Sequence, residues 1–189
     1  MSNIKIGITQ GDINGISYEV ILKTLEDNRI CELCTPIVYG SPKVAAYHRK
    51  MLNLNVNLNI INKAEEAQEK KPNIINCCNE EIKVEVGTST PQAGEAAFKA
   101  LERATKDLKE GKIDVLVTAP INKNNIQSEN FSFPGHTEYL ENLFGNKGDA
   151  LMILANDSLR VAVATGHVPI SKVSESLTKE NILTKIKQF

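Results

Sequence analysis

The chain has 189 residues, of which 41% are hydrophobic and 24% charged, and its formal net charge is −1 at pH 7. This length and composition predict a globular protein with one large domain or two small ones. Lysine and arginine are scattered along the chain, which argues against a nucleic-acid groove or a membrane surface and favours a small polar partner. The N-terminus has no apolar segment long enough for a signal peptide, and no later run is long enough to span a bilayer, so we expect a cytoplasmic protein.

The first half of the chain alternates between strand and helix signals. A short apolar run, Ile4 to Thr9, leads into a glycine-bearing loop, and helical periodicity begins at Ser17. A second strand is predicted over Thr35 to Gly40, and Ser41 with Pro42 then forms a helix cap followed by proline at the first helical position. Further on we predict strands at Asn57 to Ile61 and Ile82 to Val86, and the least regular structure in the Asn- and Lys-rich section Asn62 to Asn79.

The second half opens with the clearest helix. Thr90 and Pro91 repeat the cap-plus-proline signal, alanine and leucine recur at helical spacing along one face, and Gly111 ends the helix. Beyond it we predict a buried strand at Asp114 to Thr118, a short helix after Ile121, and strands within 151–157 and 159–165. This alternation predicts an α/β fold with a mixed, largely parallel sheet.

The C-terminal segment carries a helix without a strand to follow it. Thr178 caps this predicted helix, whose apolar Ile182, Leu183 and Ile186 need a partner. We therefore expect a truncated chain, with a first α/β lobe over residues 1–127 and the start of a second lobe over 128–189.

The four cysteines occur as Cys31 with Cys34 and as the adjacent Cys77 and Cys78. The first spacing is found in redox and zinc motifs, but an adjacent pair is poorly placed to complete a tetrahedral site. We therefore favour reduced cysteines that pack against apolar neighbours over a zinc ribbon.

The chain has four polar segments at strand ends or bends: QGDINGIS, TAPINK, FPGHTEYL and ATGHVP. Ligands of α/β proteins bind beyond the carboxyl ends of strands, so these segments are candidates for a site. The first lacks both the P-loop ending and the dinucleotide fingerprint; its glycines either make a simple turn or place Asp12 at a lobe interface or a substrate group. In the second, Asn122 and Lys123 suit a phosphate or carboxylate, although a solvated lysine is the simpler interpretation.

Two of the three histidines lie in these segments. His136 follows the Pro134-Gly135 bend at a predicted helix start, where its ring is expected to be exposed, and His167 follows a predicted strand. We expect these two rings to converge, whereas His48 lies within a predicted helix and is expected at the surface. Imidazole suits a zinc-class cation, but the spacing of the two histidines matches no known metal motif.

Taken together, these segments resemble the family of 4-hydroxythreonine-4-phosphate dehydrogenases, collinearly over nearly the whole chain. The family's first loop reads Gly-Asp-Pro-x-Gly-Ile-Gly-Pro-Glu, from which this sequence departs at Ile13, Ser17 and Tyr18. The family blocks Thr-x-Pro-Ile-Asn-Lys, Pro-Gly-His-Thr-Glu-Tyr-Leu and Thr-x-His-x-Pro correspond to residues 118–123, 134–140 and 165–169.

The resemblance implies a fold, an activity and a set of site residues. The fold is a three-layer α/β/α arrangement like that of isopropylmalate dehydrogenase. The activity is the NAD- and divalent-metal-dependent oxidation and decarboxylation of 4-phosphohydroxy-L-threonine in pyridoxal phosphate biosynthesis, by a homodimer with zinc, magnesium or cobalt. His136 and Thr137 correspond to substrate contacts, and His167 to one of three histidine ligands of the metal. The other two ligands, the phosphate-binding residues and most of the NAD site belong to the second half of the family's sequence, which this chain does not contain.

Three alternatives stay open at this point. The first is a related dehydrogenase of a phosphorylated sugar acid such as a phosphothreonate or phosphoerythronate, because the related enzymes share these loops. The second is a catalytically silent α/β fragment that folds without turnover. The third is an acyl transferase resembling phosphotransacetylase.

Overall fold

The computed structural model describes residues 3–79, 81–146 and 148–189. The chain forms two compact units, of which the first ends at His136 and the second runs from Thr137 to Phe189. The predicted boundary between the two lobes lies nine residues earlier, after residue 127. None of the helices among the described residues is long and apolar enough to cross a membrane.

The first unit is built on a parallel five-stranded sheet with the order β3-β4-β2-β1-β5. Its strands are β1 (Lys5–Thr9), β2 (Thr35–Gly40), β3 (Asn59–Ile61), β4 (Asn73–Asn76) and β5 (Val115–Thr118). Its helices are α1 (Ser17–Glu26), α2 (Ile30–Leu33), α3 (Pro42–Met51) and α4 (Pro91–Lys109), with a short 3-10 helix at Ala64–Glu66.

Successive side chains of the central strands pack into two separate cores, because side chains alternate between the faces of a strand. Val38 and Ile74 join the core formed with α1 and α3, whereas Ile37 and Ile75 join the core that contains Ala100 of α4. Both faces of the sheet are therefore covered by helices. The prediction of an α/β fold with a largely parallel sheet is confirmed.

Both predicted helix caps that precede a proline are present. The Ser41 side chain accepts a hydrogen bond from the Val44 amide at the start of α3, and the Thr90 side chain accepts one from the Ala93 amide at the start of α4. In each case proline occupies the first turn, where its missing amide proton leaves no helical bond unmade.

Four local predictions for the first unit are wrong. Asn62 to Asn79 was predicted as the least regular section, yet it contains β4, whose Asn73, Ile74 and Ile75 are fully buried. Ile82 to Val86 forms no strand, and the predicted short helix after Ile121 is a series of turns. The strand at Asp114 to Thr118 exists but lies at the sheet edge, with Val115 and Val117 45% and 47% exposed rather than buried.

The second unit contains α5 (His136–Phe144, whose first residue belongs to the first unit), an antiparallel pair β6 (Ile153–Ala155) and β7 (Arg160–Ala162), α6 (Val173–Ser176) and α7 (Lys179–Gln188), with a 3-10 helix at Ile170–Lys172. Of its described residues, only Tyr139 is buried. The apolar side chains of β6, β7 and α7 are mostly exposed, in contrast to the double core of the first unit.

The substitution Gly94→Ala tests how closely α4 packs against the loop after β5. A Cβ atom at Gly94 would overlap the carbonyl group of Asn125, so Gly94→Ala forces backbone apart. Alanine in a helix normally gains about 1 kcal/mol over glycine, but overpacking costs about 1 to 3 kcal/mol. We expect a net loss in the free energy of unfolding, measured by urea denaturation. Glu102→Ala on the exposed side of the same helix is the control and should change it by less than about 0.5 kcal/mol. A stabilised Gly94→Ala protein would contradict this packing.

Candidate functional site

The candidate site lies at the carboxyl edge of the parallel sheet in the first unit. Parallel strands end at the same edge, and ligands of such sheets bind in the loops that follow. The loop after β1, the loop after β5 and the segment Glu85 to Thr90 before α4 meet at this edge through the hydrogen bonds described below.

The loops after β1 and β5 are joined at the carbonyl oxygen of Pro120. The Asp12 amide donates to this oxygen at 2.9 Å and the Ser17 hydroxyl donates to it at 2.7 Å. Gly11 has φ +62°, and a Cβ atom there would overlap the same oxygen. Glycine is therefore required both by the backbone conformation and by the closeness of the two loops.

Asn14 ties the β1 loop to the segment before α4. Its side-chain amide donates to the Thr88 carbonyl at 2.9 Å and to the Thr90 hydroxyl at 3.2 Å, and its side-chain oxygen accepts from the Glu85 amide at 2.8 Å. Its backbone carbonyl accepts from the Gly87 amide at 2.8 Å. The backbone of the supposed strand Ile82 to Val86 is thus held in part by an asparagine side chain instead of a neighbouring strand.

The β5 loop continues toward His136. Asn122 donates to the Ser89 hydroxyl at 3.3 Å, which links this loop to the segment before α4. The Gln127 side-chain amide donates to the carbonyls of Lys123 and Phe133 at 3.1 and 2.9 Å. The chain is therefore held between the TAPINK segment and the bend that precedes His136.

His136 is half-buried, and its Nε2 atom is inaccessible to solvent and has no hydrogen-bond partner among the described residues. Burial lowers the pKa of this imidazole, and the positive charge of Lys123 lowers the pKa further. At neutral pH the ring is therefore neutral. A buried polar atom without a partner is uncommon in folded proteins and calls for an explanation such as a bound ligand.

The remaining predicted site residues, Thr137 and His167, belong to the second unit. Thr137 is exposed in the first turn of α5, and His167 is exposed in the bend after β7. Since His136 and His167 lie in different units, their convergence stays a prediction. Among the described residues no group of three or more His, Cys, Asp or Glu side chains is placed to hold a metal ion. His167 thus offers one imidazole donor, which fits a single position of a metal site.

His48 is not at the surface, and that prediction is wrong. It is 1% exposed, and its Nε2 atom lies 2.8 Å from the carbonyl oxygen of Ile13. Helical periodicity alone gave no sign of this, because the partner is a loop carbonyl.

The cysteines are all reduced, as predicted. Cys31 and Cys34 are buried, and burial raises the pKa of the Cys77 thiol to about 12. Since the thiolate is the reactive form, Cys77 is a packing residue at neutral pH.

Comparisons with known proteins identify the family. A family model described as "Pyridoxal phosphate biosynthetic protein PdxA" matches residues 32–189. The chain belongs to the PdxA family. The resemblance inferred from the loop motifs is thereby confirmed.

Relatives in this family are dehydrogenases about twice as long as the chain. A 4-hydroxythreonine-4-phosphate dehydrogenase of Bacteroides thetaiotaomicron is 55% identical over 188 residues, which cover 100% of this chain and 52% of that protein. A Clostridium botulinum protein provisionally named D-threonate 4-phosphate dehydrogenase is 34% identical over 184 residues, covering 96% of this chain and 55% of its own length. The crystal structure of a 4-hydroxythreonine-4-phosphate dehydrogenase from Burkholderia phymatum matches with a TM-score of 0.86 at 28% identity, covering 99% of this chain and 57% of that one. The chain thus spans about half the length of the relatives it matches.

The three residues that depart from the PdxA loop pattern are all packed within the first unit. Ser17 donates to Pro120, while Ile13 and Tyr18 are fully buried. Sequence reasoning missed the roles of Asn14 and Gln127. The Asn14-Gly15 pair in QGDINGIS could have indicated the role of Asn14, because asparagine side chains often form hydrogen bonds with loop backbone.

The pKa of His136 gives a testable prediction. The unfolded chain takes up a proton near pH 6.5, whereas the folded protein keeps the imidazole neutral to lower pH. Acidification through pH 6.5 therefore lowers the free energy of unfolding, and this loss stops growing below the folded pKa. We expect His136→Asn to remove this part of the pH dependence, measured by urea denaturation above and below pH 6.5. Lys123→Met should remove only a smaller part, because burial is the larger cause. NMR titration of His136 with a midpoint at or above 6.5 would contradict the assignment.

Proposed function

We propose that the chain provides part of the active site of an NAD- and divalent-metal-dependent dehydrogenase that oxidises and decarboxylates 4-phosphohydroxy-L-threonine. The observation that carries this proposal is the half-buried, neutral His136, whose solvent-inaccessible Nε2 has no hydrogen-bond partner among the described residues. The name of the Bacteroides thetaiotaomicron relative supports the choice of substrate.

His136 and Lys123 have complementary roles in this proposal. A neutral imidazole both donates and accepts hydrogen bonds, so His136 can orient a substrate hydroxyl or amino group and hold a proton at Nε2. Lys123 is exposed and positively charged, which suits the carboxylate or phosphate of an anionic substrate. Thr137 adds a hydroxyl in the first turn of α5, where unpaired helix amides also favour anions.

The cofactors supply the remaining chemistry. A divalent cation bound by His167 and further ligands would lower the pKa of the substrate hydroxyl, and NAD would accept the hydride. Oxidation of that hydroxyl places a carbonyl group β to the substrate carboxylate, which favours loss of carbon dioxide. His167 alone leaves most of the coordination sphere to ligands outside the described residues. Association into a homodimer with shared sites is also part of the proposal.

A sugar-acid substrate is the second candidate. The Clostridium botulinum relative, with its provisional name of D-threonate 4-phosphate dehydrogenase, supports it. 4-Phosphohydroxy-L-threonine carries an amino group that the sugar acid lacks. The compound with the higher kcat/KM therefore identifies the substrate.

A chimaera tests the proposal directly. This chain replaces the corresponding 188 residues of the Bacteroides thetaiotaomicron relative, to which it is 55% identical. We expect NADH to form from 4-phosphohydroxy-L-threonine, NAD and zinc, magnesium or cobalt, with the unmodified relative as positive control. The 189-residue chain alone should show little or no turnover. Robust turnover by the chain alone would contradict a site that needs residues beyond it.

Two substitutions in the chimaera assign the histidines. His136→Asn should lower kcat/KM by about 10²-fold or more, the usual effect of losing a group that transfers a proton. His167→Ala should abolish metal-dependent activity and weaken zinc binding in calorimetry while leaving the circular dichroism spectrum unchanged. Lys179→Ala, also exposed in the second unit, is the matched control. Unchanged zinc binding would exclude His167 from the metal site.

A further inference from the structure

Two aromatic side chains are stacked next to the β1 loop of the candidate site. Tyr18 of α1 and His48 of α3 are 0% and 1% exposed, and their rings lie 5.4 Å apart with an interplanar angle of 15°. Tyr47 contacts the His48 ring edge-on at 5.5 Å. The imidazole is therefore confined by rings from both helices.

The His48 ring makes one directed contact to the β1 loop. Its Nε2 lies 2.8 Å from the carbonyl oxygen of Ile13, and a carbonyl oxygen only accepts hydrogen bonds. Nε2 must therefore carry a proton. This bond satisfies a carbonyl group at a fully buried loop residue, where an unmade bond would be costly.

The Tyr18 hydroxyl makes contacts at the ends of two strands. It donates to the Gln10 side-chain oxygen at 2.8 Å and accepts from the Ser41 amide at 3.0 Å. Gln10 in turn donates to the Ala96 carbonyl at 2.9 Å and to Cys78 Sγ at 3.1 Å. One tyrosine thus joins the loop after β1 to the start of the loop after β2.

We propose that Tyr18 and His48 are positioning residues, acting as a stacked pair (the Tyr18–His48 clamp) that fixes the Asp12 to Asn14 segment of the candidate active site. Ile13, the residue bonded by the clamp, lies between Asp12 and Asn14 in this segment. Asp12 accepts from the Asn14 amide at 3.0 Å, and Asn14 holds the segment before α4. Since both rings are fully buried, the clamp acts through the loop and does not contact substrate. The proposal rests on the proposed function to the extent that this loop forms part of the site.

Simple core packing is the competing explanation, and amide hydrogen exchange in the 189-residue chain separates the two. His48→Phe keeps an aromatic ring but removes the donor to Ile13. The reporters are the amides of Glu85 and Gly87, which bond to Asn14. We expect their exchange to accelerate about tenfold relative to slow amides elsewhere, the order expected for losing one buried hydrogen bond. His48→Gln retains an N–H donor and should restore part of the protection.

Tyr39→Phe is the matched control. Tyr39 is also fully buried, but it packs in the other core and its hydroxyl donates to Asp107 at 2.9 Å. It should leave the exchange of Glu85 and Gly87 unchanged relative to other slow amides. Equal acceleration of all slow amides by His48→Phe, or the same local effect from Tyr39→Phe, would overturn the clamp. So would an NMR spectrum of the unsubstituted chain in which the His48 proton lies only on Nδ1.

The catalytic consequence is measured in the chimaera. His48→Phe and Tyr18→Phe should lower kcat about tenfold or more per folded molecule, since small misplacements of site groups cost up to about 10²-fold. Tyr39→Phe should keep the parent kcat. If the clamp variants also keep it, the positioning role is wrong. An inactive unsubstituted chimaera would count against the proposed function alone, because the exchange experiment still decides whether the clamp holds the loop.

Discussion

The candidate site depends on one carbonyl group, that of Pro120. It accepts hydrogen bonds from the Asp12 amide and the Ser17 hydroxyl, so the loops after two neighbouring parallel strands are joined directly. The closeness of these loops excludes any side chain at Gly11. Two further contacts extend from the joined loops: Asn14 bonds to the segment before α4, and Gln127 of the β5 loop bonds to the Phe133 carbonyl near His136.

Much of the first unit was predictable from local patterns. Ser41-Pro42 and Thr90-Pro91 marked helix starts, because capping and proline geometry act within a few residues of one another. β4 was missed because its first residue is an asparagine in a polar section. Asn73 is nevertheless fully buried, and its side chain donates to the carbonyls of Gln68 and Lys71 and accepts from the Gln68 amide. Such bonds depend on the folded loop, so composition could not reveal them.

The helix start at His136 was predictable from a short motif, whereas features that depend on packing between distant segments were not. The Pro-Gly bend before His136 marked an exposed helix start, but the burial that keeps its imidazole neutral comes from the tertiary structure. His48 shows the reverse. It lies in an ordinary helical pattern, and only the approach of α1 and the β1 loop makes it a buried donor.

The two units differ in how firmly they hold the residues predicted for the site. The first has a sheet covered on both faces by two apolar cores, and its last residue, His136, is half-buried. The second buries only Tyr139 among its described residues and presents His167 on an exposed bend. One exposed imidazole binds a divalent cation weakly, because affinity comes from several ligands held together. In the proposed enzyme, the loops of the first unit would hold substrate groups and His167 would need further ligands to bind a cation, which agrees with a chain that spans about half the length of its PdxA relatives.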